Sequence, residues 1–287
     1  MPELPEVENM KIGLQPCVEL TISTVYSSGK KLRKIASNVN ELPLESIENS
    51  KIISIERLAK YLLIKTNNDY CCVCHAGMSG KFLLENPNMQ NHLQNLEKNR
   101  LIQHDHVKLQ FTCGTVLIYN DTRRFGMFAV YHNSDIAKIS WLNKIAIDAL
   151  HNNFNVNYFQ EHSKHRNGAI KQVLLDQSFV AGLGNIYVCE ALFLSNISPL
   201  KPTNTLTVDE ITRLISNIKD ILHLAIMKGG STLKDYSKSD GSAGGFQDYF
   251  KVYGQENKPC CVCSAKILRI VQNGRSTFYC DLCQKHS

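Results

Sequence analysis

The apolar positions of this chain change period once, and that change divides it. Through the first half they fall in short runs or in alternation, broken by turn residues such as Thr66-Asn67-Asn68-Asp69 and Cys113-Gly114. A period of two puts one face of a strand in a core, and the turns send the chain back antiparallel to itself. Strands are predicted over residues 20–26, 51–56, 61–65, 70–75, 107–111, 115–119 and 127–131. They bury their apolar faces most readily as an antiparallel β-sandwich of two sheets. A helix should precede them, opened by Pro5, whose missing N–H is no loss in a first turn. Residues 85–100 are polar and Asn-rich and read as a surface loop.

From about residue 135 to about 228 the period is helical. It is clearest where Val208, Ile211, Ile215, Ile218, Leu222 and Ile226 recur at spacings of three and four. Thr207, followed three positions later by Glu210, makes a capping box, and Gly229-Gly230 ends the helix. Residues 234–255, with Gly241, Gly244 and Gly245, show little periodicity and read as a loop. The predicted class is α+β: a helix and antiparallel β-sandwich over 1–134, a helical domain over 135–255, and a small cysteine-rich module over 256–287.

A length of 287 residues and a hydrophobic share of 43% allow real cores in two ordinary domains, or in one with an appendage. The net charge of +6 suits a polyanionic partner without demanding one. No apolar run approaches the ~20 residues of a membrane span, and the first residues are acidic where a secretory signal would be basic. A soluble, intracellular, cytoplasmic protein is therefore expected. In that reducing setting, eleven cysteines point to metal or free thiols before disulfides.

Cys260-x-x-Cys263 and Cys280-x-x-Cys283 are two knuckles on either side of a strand-turn-strand span around Asn273-Gly274. At this spacing four thiolates can surround one Zn²⁺ tetrahedrally. A module so short has little core, so the metal would supply much of its folding energy. Cys71 and Cys74 share the spacing, but residues three apart on a strand point to opposite faces, so they are read as sheet residues. Cys17, Cys113, Cys189 and Cys261 are read as structural.

The chain opens Met1-Pro2-Glu3-Leu4-Pro5-Glu6-Val7-Glu8. Loss of Met1, favoured by the small residue behind it, leaves a proline whose nitrogen is a secondary amine. An α-amino group titrates near ~8, so a substantial fraction is unprotonated at neutral pH and can attack a sugar C1′ to form an iminium. The same residues also make an ordinary acidic helix start. Arg123-Arg124-Phe125-Gly126 is either a solvated turn or a wedge that enters a base stack. Gly182-Leu183-Gly184-Asn185 is either an interhelical turn or a helix start whose N–H groups meet a phosphate. Lys60 could be a sheet-edge lysine, and His75-Ala76-Gly77-Met78-Ser79-Gly80 a glycine turn.

Together these stretches resemble the formamidopyrimidine-DNA glycosylase family, bifunctional base-excision repair enzymes acting on oxidised purines. The resemblance runs from Pro2 to Cys283, with Ala59-Lys60-Tyr61-Leu62-Leu63, residues 75–80, 121–126 and 184–187 and the cysteine knuckles in the family's order. It implies a β-sandwich joined to a helix-two-turn-helix domain and a zinc ribbon, with damaged double-stranded DNA as partner and one structural zinc ion. It also implies Pro2 as Schiff-base nucleophile, Glu3 as the acid that protonates the opening sugar, Lys60 as an aid to β-elimination and Arg275 as the phosphate-binding group of δ-elimination. Met78, Arg123 and Phe125 would fill the gap left by the flipped nucleotide, while His75, His104, Arg166, Lys171 and Asn185 would also meet the DNA. Residues 239–246 resemble the loop that closes over an extruded 8-oxoguanine. Nothing calls for an oligomer, and such a monomer would work at the nucleoid.

The chain has His75-Ala76 where the family more often shows His-Leu, and Asp121-Thr122 where it more often shows Asp-Pro. An endonuclease VIII-like enzyme for oxidised pyrimidines would share Pro2, Glu3 and the cysteines. Leu4, Phe125 and the glycine-rich loop favour the purine branch. A non-catalytic zinc-dependent DNA-binding protein is the more distant alternative.

Overall fold

Glu3 is the last extended residue before α1 (Leu4–Leu14), and its N–H donates to the Glu6 carboxylate at 2.8 Å. Pro5 sits in the first turn, where no intrahelical donor is lost. The computed structural model describes residues 1–86, 101–232, 239 and 241–285. These fall into two compact units, residues 1–144 with 228–245, and residues 145–227 with 246–287.

In the first unit the strands follow in chain order: β1 (Ile22–Ser27), β2 (Ile52–Leu58), β3 (Tyr61–Thr66), β4 (Tyr70–His75), β5 (Gly80–Glu85), β6 (Asp105–Phe111), β7 (Val116–Asp121) and β8 (Met127–His132). They form two four-stranded antiparallel sheets, ordered β1-β6-β7-β5 and β2-β3-β4-β8. Val7, Met10 and Leu14 of α1 share one buried cluster with Ile22, Ile55, Leu62, Phe82, Leu109 and Leu117, drawn from both sheets. Each such side chain contributes roughly 1.5–3 kcal/mol by leaving water, so the sandwich is held mainly by its interior.

The sequence pattern omitted β5. Its apolar core, Phe82-Leu83-Leu84, lies between a glycine turn and a polar stretch, and only pairing with β7 from Gly80↔Asp121 to Glu85↔Val116 makes it a strand. The loop expected over 85–100 lies outside the described residues from 87 onward, as do 233–238 and 240 of the glycine-rich stretch. Cys71, Cys72 and Cys74 are all buried in β4, as read, and burial pushes the Cys71 thiol up to about 12. Cys113 and Cys261 are exposed, because each sits in a turn at the surface, so the structural reading holds only for the buried Cys17 and Cys189.

The second unit contains α2 (Val156–Ser163), α3 (Ile170–Leu175), α4 (Asn185–Leu194) and α5 (Val208–Met227), followed by β9 (Leu268–Gln272) and β10 (Arg275–Tyr279). Helical structure was expected from about 135, but residues 133–138 form a 3-10 turn and α-helix begins only at Val156. On α5 the capping box is present: the Thr207 N–H donates to Glu210 Oε2 at 2.9 Å and the Glu210 N–H to Thr207 Oγ1 at 3.2 Å. Val208 is 52% exposed, so the buried stripe starts one turn later, at Ile211. From Ile186 to Phe193 every residue of α4 is buried, which makes it the unit's central helix. No helix of the described residues is long and apolar enough to cross a membrane.

Candidate active site and nucleic-acid interface

In the first unit, Pro2 is buried and Glu3 is 3% exposed, while Met1 projects at 48%. Glu6, itself 1% exposed, fixes this start of the chain. One carboxylate oxygen takes the Glu3 N–H at 2.8 Å, and the other takes the N–H and the hydroxyl of Ser231 at 2.8 and 3.0 Å. Sequence reasoning read Glu6 only as a helix-start acid, because Ser231 lies 225 positions away.

Lys60 is 7% exposed in the β2–β3 turn, whose neighbouring Ala59 adopts a left-handed φ of +54°. A non-glycine residue held there stores strain of order 1 kcal/mol or more. Arg57 secures the turn: its Nη1 donates to the Ala59 carbonyl at 3.1 Å and its Nε to Glu8 at 2.6 Å, tying the turn to α1. Glu8 also pairs with Lys11, and those two cations hold its carboxyl below the usual range against the opposing effect of burial.

His75 ends β4 with its ring 4.8 Å from that of Tyr61. Burial, followed by the positive charges of Lys60 and Arg33, pushes its pKa down to about 4, although Asp121 opposes them. Its Nδ1 accepts the Gly77 N–H at 2.9 Å, so the neutral ring carries its proton on Nε2.

Asp121, fully buried at the end of β7, organises the two loops beside it. Its Oδ1 accepts the Ser79 hydroxyl at 2.6 Å and the Arg123 N–H at 3.2 Å, and its Oδ2 accepts the Gly126 N–H at 2.8 Å. A Cβ at Gly126 would lie 1.8 Å from Tyr119 Oη and 2.5 Å from the His75 carbonyl, so only glycine allows this approach. The scaffold presents Met78 at 37% exposure and Phe125 at 49%, with the Arg123 guanidinium 4.8 Å from the Phe125 ring centre. His104 is half-buried at the end of the Ile102–His104 turn.

The second unit holds the other predicted residues. α3 and α4 are linked by a turn in which the Phe179 N–H donates to Asp176 O at 2.9 Å, and then by a bend at Gly182, where φ is +97°. Asn185 begins α4, and its Nδ2 donates to the Ser276 carbonyl on β10 at 2.8 Å. Its Oδ1 is buried and has no partner among the described residues. Arg275 is exposed next to the hairpin turn. Arg166 pairs with Asp176 at 2.6 Å and covers the Phe179 ring at 5.2 Å.

Lys171 departs from expectation. It was read as a backbone-contacting cation, yet it is 0% exposed, and its ammonium donates to Ser276 O at 3.0 Å and Thr277 Oγ1 at 2.7 Å. Those acceptors hold it inside the unit, where it fastens the ribbon hairpin to α3. A second buried tie escaped sequence reasoning entirely. Glu190 on α4 accepts the N–H groups of Lys251, Val252 and Tyr253 at 2.8, 2.9 and 2.7 Å.

The Sγ atoms of Cys260, Cys263, Cys280 and Cys283 all lie within 4.8 Å of one another. Tetrahedral Zn–S bonds of about 2.3 Å require sulfur separations near ~3.8 Å, and Cys260···Cys283 and Cys263···Cys280 measure 3.9 and 3.4 Å. The Val262 N–H already points at Cys260 Sγ, 3.5 Å away, as a thiolate would favour. The donor set and its spacing fit one zinc ion.

The family profile described as the formamidopyrimidine-DNA glycosylase N-terminal domain matches residues 1–128, the H2TH domain of the same enzymes matches 145–237, and the zinc finger found in FPG and IleRS matches 257–285. The chain belongs to the formamidopyrimidine-DNA glycosylase family. It is 40% identical over 295 residues to the formamidopyrimidine-DNA glycosylase of Bartonella tribocorum, covering 99% of this chain and 100% of that protein. The Rickettsia conorii enzyme is 39% identical over 285 residues, covering 99% of both chains. Among solved structures, the MutM (FPG) protein of Thermus thermophilus superposes with a TM-score of 0.83 at 33% identity, over 99% of this chain and 98% of that one. Lactococcus lactis Fpg in complex with abasic-site DNA gives 0.83 at 31% identity, over 99% and 100%.

Proposed function

We propose that this glycosylase-family chain removes oxidised purines, 8-oxoguanine and formamidopyrimidines, from duplex DNA and then cuts the strand as an AP lyase. Full-length membership of the family carries this reading, and the burial of Pro2 and Glu3 at the head of α1 supports it. The target base must leave the stack, at a cost of a few kcal/mol, which Met78, Arg123 and Phe125 offset by filling the gap. The free Pro2 nitrogen attacks C1′, the N-glycosidic bond breaks, and the base departs with a proton. Glu3 protonates the ring oxygen as the sugar opens to an iminium. That cation acidifies the C2′ proton; its loss, aided by Lys60, expels the 3′ phosphate, and a second elimination, with Arg275 on the phosphate, expels the 5′ phosphate.

The division of labour follows the chain: residues 1–134 carry Pro2, Glu3 and Lys60, 135–255 the helix-two-turn-helix contacts through Arg166 and Asn185 and the lesion-capping loop, and 256–287 the zinc ribbon with Arg275. Zinc bound by Cys260, Cys263, Cys280 and Cys283 fixes the ribbon's shape and takes no part in bond breaking. The protein works as a monomer on nucleoid DNA. Cyanoborohydride should reduce the iminium and weld Met1-processed protein to an 8-oxoguanine:cytosine duplex, and Pro2→Gly should prevent it. A wild-type protein that binds abasic duplex but is neither trapped nor able to nick would refute the enzyme reading. Faster cleavage of thymine glycol than of 8-oxoguanine would reassign it to the endonuclease VIII branch.

A further inference from the structure

Between β1 and β2 the first unit carries the basic run Lys30-Lys31-Leu32-Arg33-Lys34, which none of the catalytic or wedge roles uses. It is tied at both ends to elements assigned to DNA. Lys30 Nζ donates to the Gln103 carbonyl at 3.1 Å, within the turn that bears His104. The Arg33 N–H donates to the Gly126 carbonyl at 3.0 Å, at the foot of the Arg123–Phe125 loop. Lys34 is paired with Glu41 at 3.0 Å. The exposed side chains of Lys31 and Arg33 have no hydrogen-bond or ion-pair partner among the described residues.

Two further observations give the run a direction. The charge of Arg33 reaches His75 and Tyr61, where after burial it acts on His75 together with that of Lys60. The run also lines a groove of about 370 Å³ together with Leu42, His106 and Phe128. Residues two apart in an extended chain lie about 7 Å from one another, and charges on one DNA strand follow every ~3.4 Å of helix axis. Side chains two apart on such a strap can therefore meet neighbouring phosphates.

We infer that residues 30–34 form a second DNA-backbone clamp, in which the Arg33 guanidinium grips one phosphate bidentately and Lys31 takes an adjacent one, extending the track between His104 and the Arg123–Phe125 wedge. The clamp rests on the duplex-DNA reading proposed above. Neutralising phosphates releases counterions, so log K falls with log[salt] by about 0.9 for each contact.

The test is affinity for a duplex bearing a tetrahydrofuran abasic analogue, measured from 50 to 300 mM salt. Lys31→Ala should lower the slope by about one and Lys31→Ala with Arg33→Ala by about two. Arg33→Lys should keep most of the slope, and Lys51→Ala, whose partner is Glu19, should leave it at the wild-type value. Lys31 is exposed and bonded to nothing described, so its variant reports even if the double variant folds poorly. Slopes unchanged in Lys31→Ala and in any folded double variant would overturn the clamp while wild type still nicks 8-oxoguanine DNA. Wild type that never nicks would instead remove the reading beneath it.

Discussion

His75 is held neutral by its surroundings, and stability should show it. Its folded pKa, about 4, lies below the ordinary 6.5, so the unfolded chain takes up the proton first. The contribution of the neutral ring is complete above the unfolded value and is lost as pH falls towards the folded one. Because the ring is partly solvated, the loss between pH 8 and pH 5 is on the order of 1–2 kcal/mol. Urea unfolding of wild type and His75→Gln at both pH values should give a difference that shrinks by that amount on acidification; parallel acid limbs would contradict it. Gly126→Ala drives a Cβ against Tyr119 Oη and the His75 carbonyl. It should cost roughly 1–3 kcal/mol and weaken abasic-duplex binding, checked by melting and titration. At this scale the sequence showed the four cysteines by their spacing, and the structure brings their sulfurs within 4.8 Å of one another. Glu6 and Glu190 act through partners far along the chain, Ser231 and residues 251–253, and no short motif could expose them. Lys171 was named only through the family resemblance, and the buried bonds of its ammonium to Ser276 and Thr277 lie more than a hundred positions away, where no sequence pattern points.

Elements followed the pattern where their signals were complete. The α5 helix carries both its capping box and its period, and the β9–β10 hairpin carries Asn273 and Gly274 at φ +47° and +71°, the left-handed pair that a tight hairpin turn requires. β5 was missed because its partner strand, not its own residues, defines it. The ribbon buries few side chains beyond Ile267, Tyr279 and the cysteines Cys260 and Cys280. Its order should therefore depend on the metal: a strong zinc chelator, or Cys263→Ser, should release zinc, lower abasic-duplex affinity at least tenfold and leave the sandwich's melting transition in place. Full affinity in metal-free protein would refute that dependence.

At the scale of the whole molecule, chain order and spatial grouping part company. Sequence reasoning cut the chain at 135 and 256, since composition and period change there. The packing instead assigns 228–245 to the unit formed by 1–144, with Ser231 on the Glu6 carboxylate and the Leu84 N–H donating to the Ser239 carbonyl at 3.2 Å. A stretch with so little period gives no clue to the side on which it will settle.

The polypeptide thus passes between its two bodies three times, at 144/145, 227/228 and 245/246. A ribosome that has finished the sandwich strands has not yet made everything the sandwich needs: Ser231, which holds the Glu6 carboxylate at the head of α1, is made about a hundred residues after β8. A fragment ending at Lys144 should accordingly show faster amide exchange around Glu3 and Glu6 than the full chain, and a synthetic peptide of residues 228–245 should slow it. During synthesis, the head of α1 would stay unfinished until most of the second body exists.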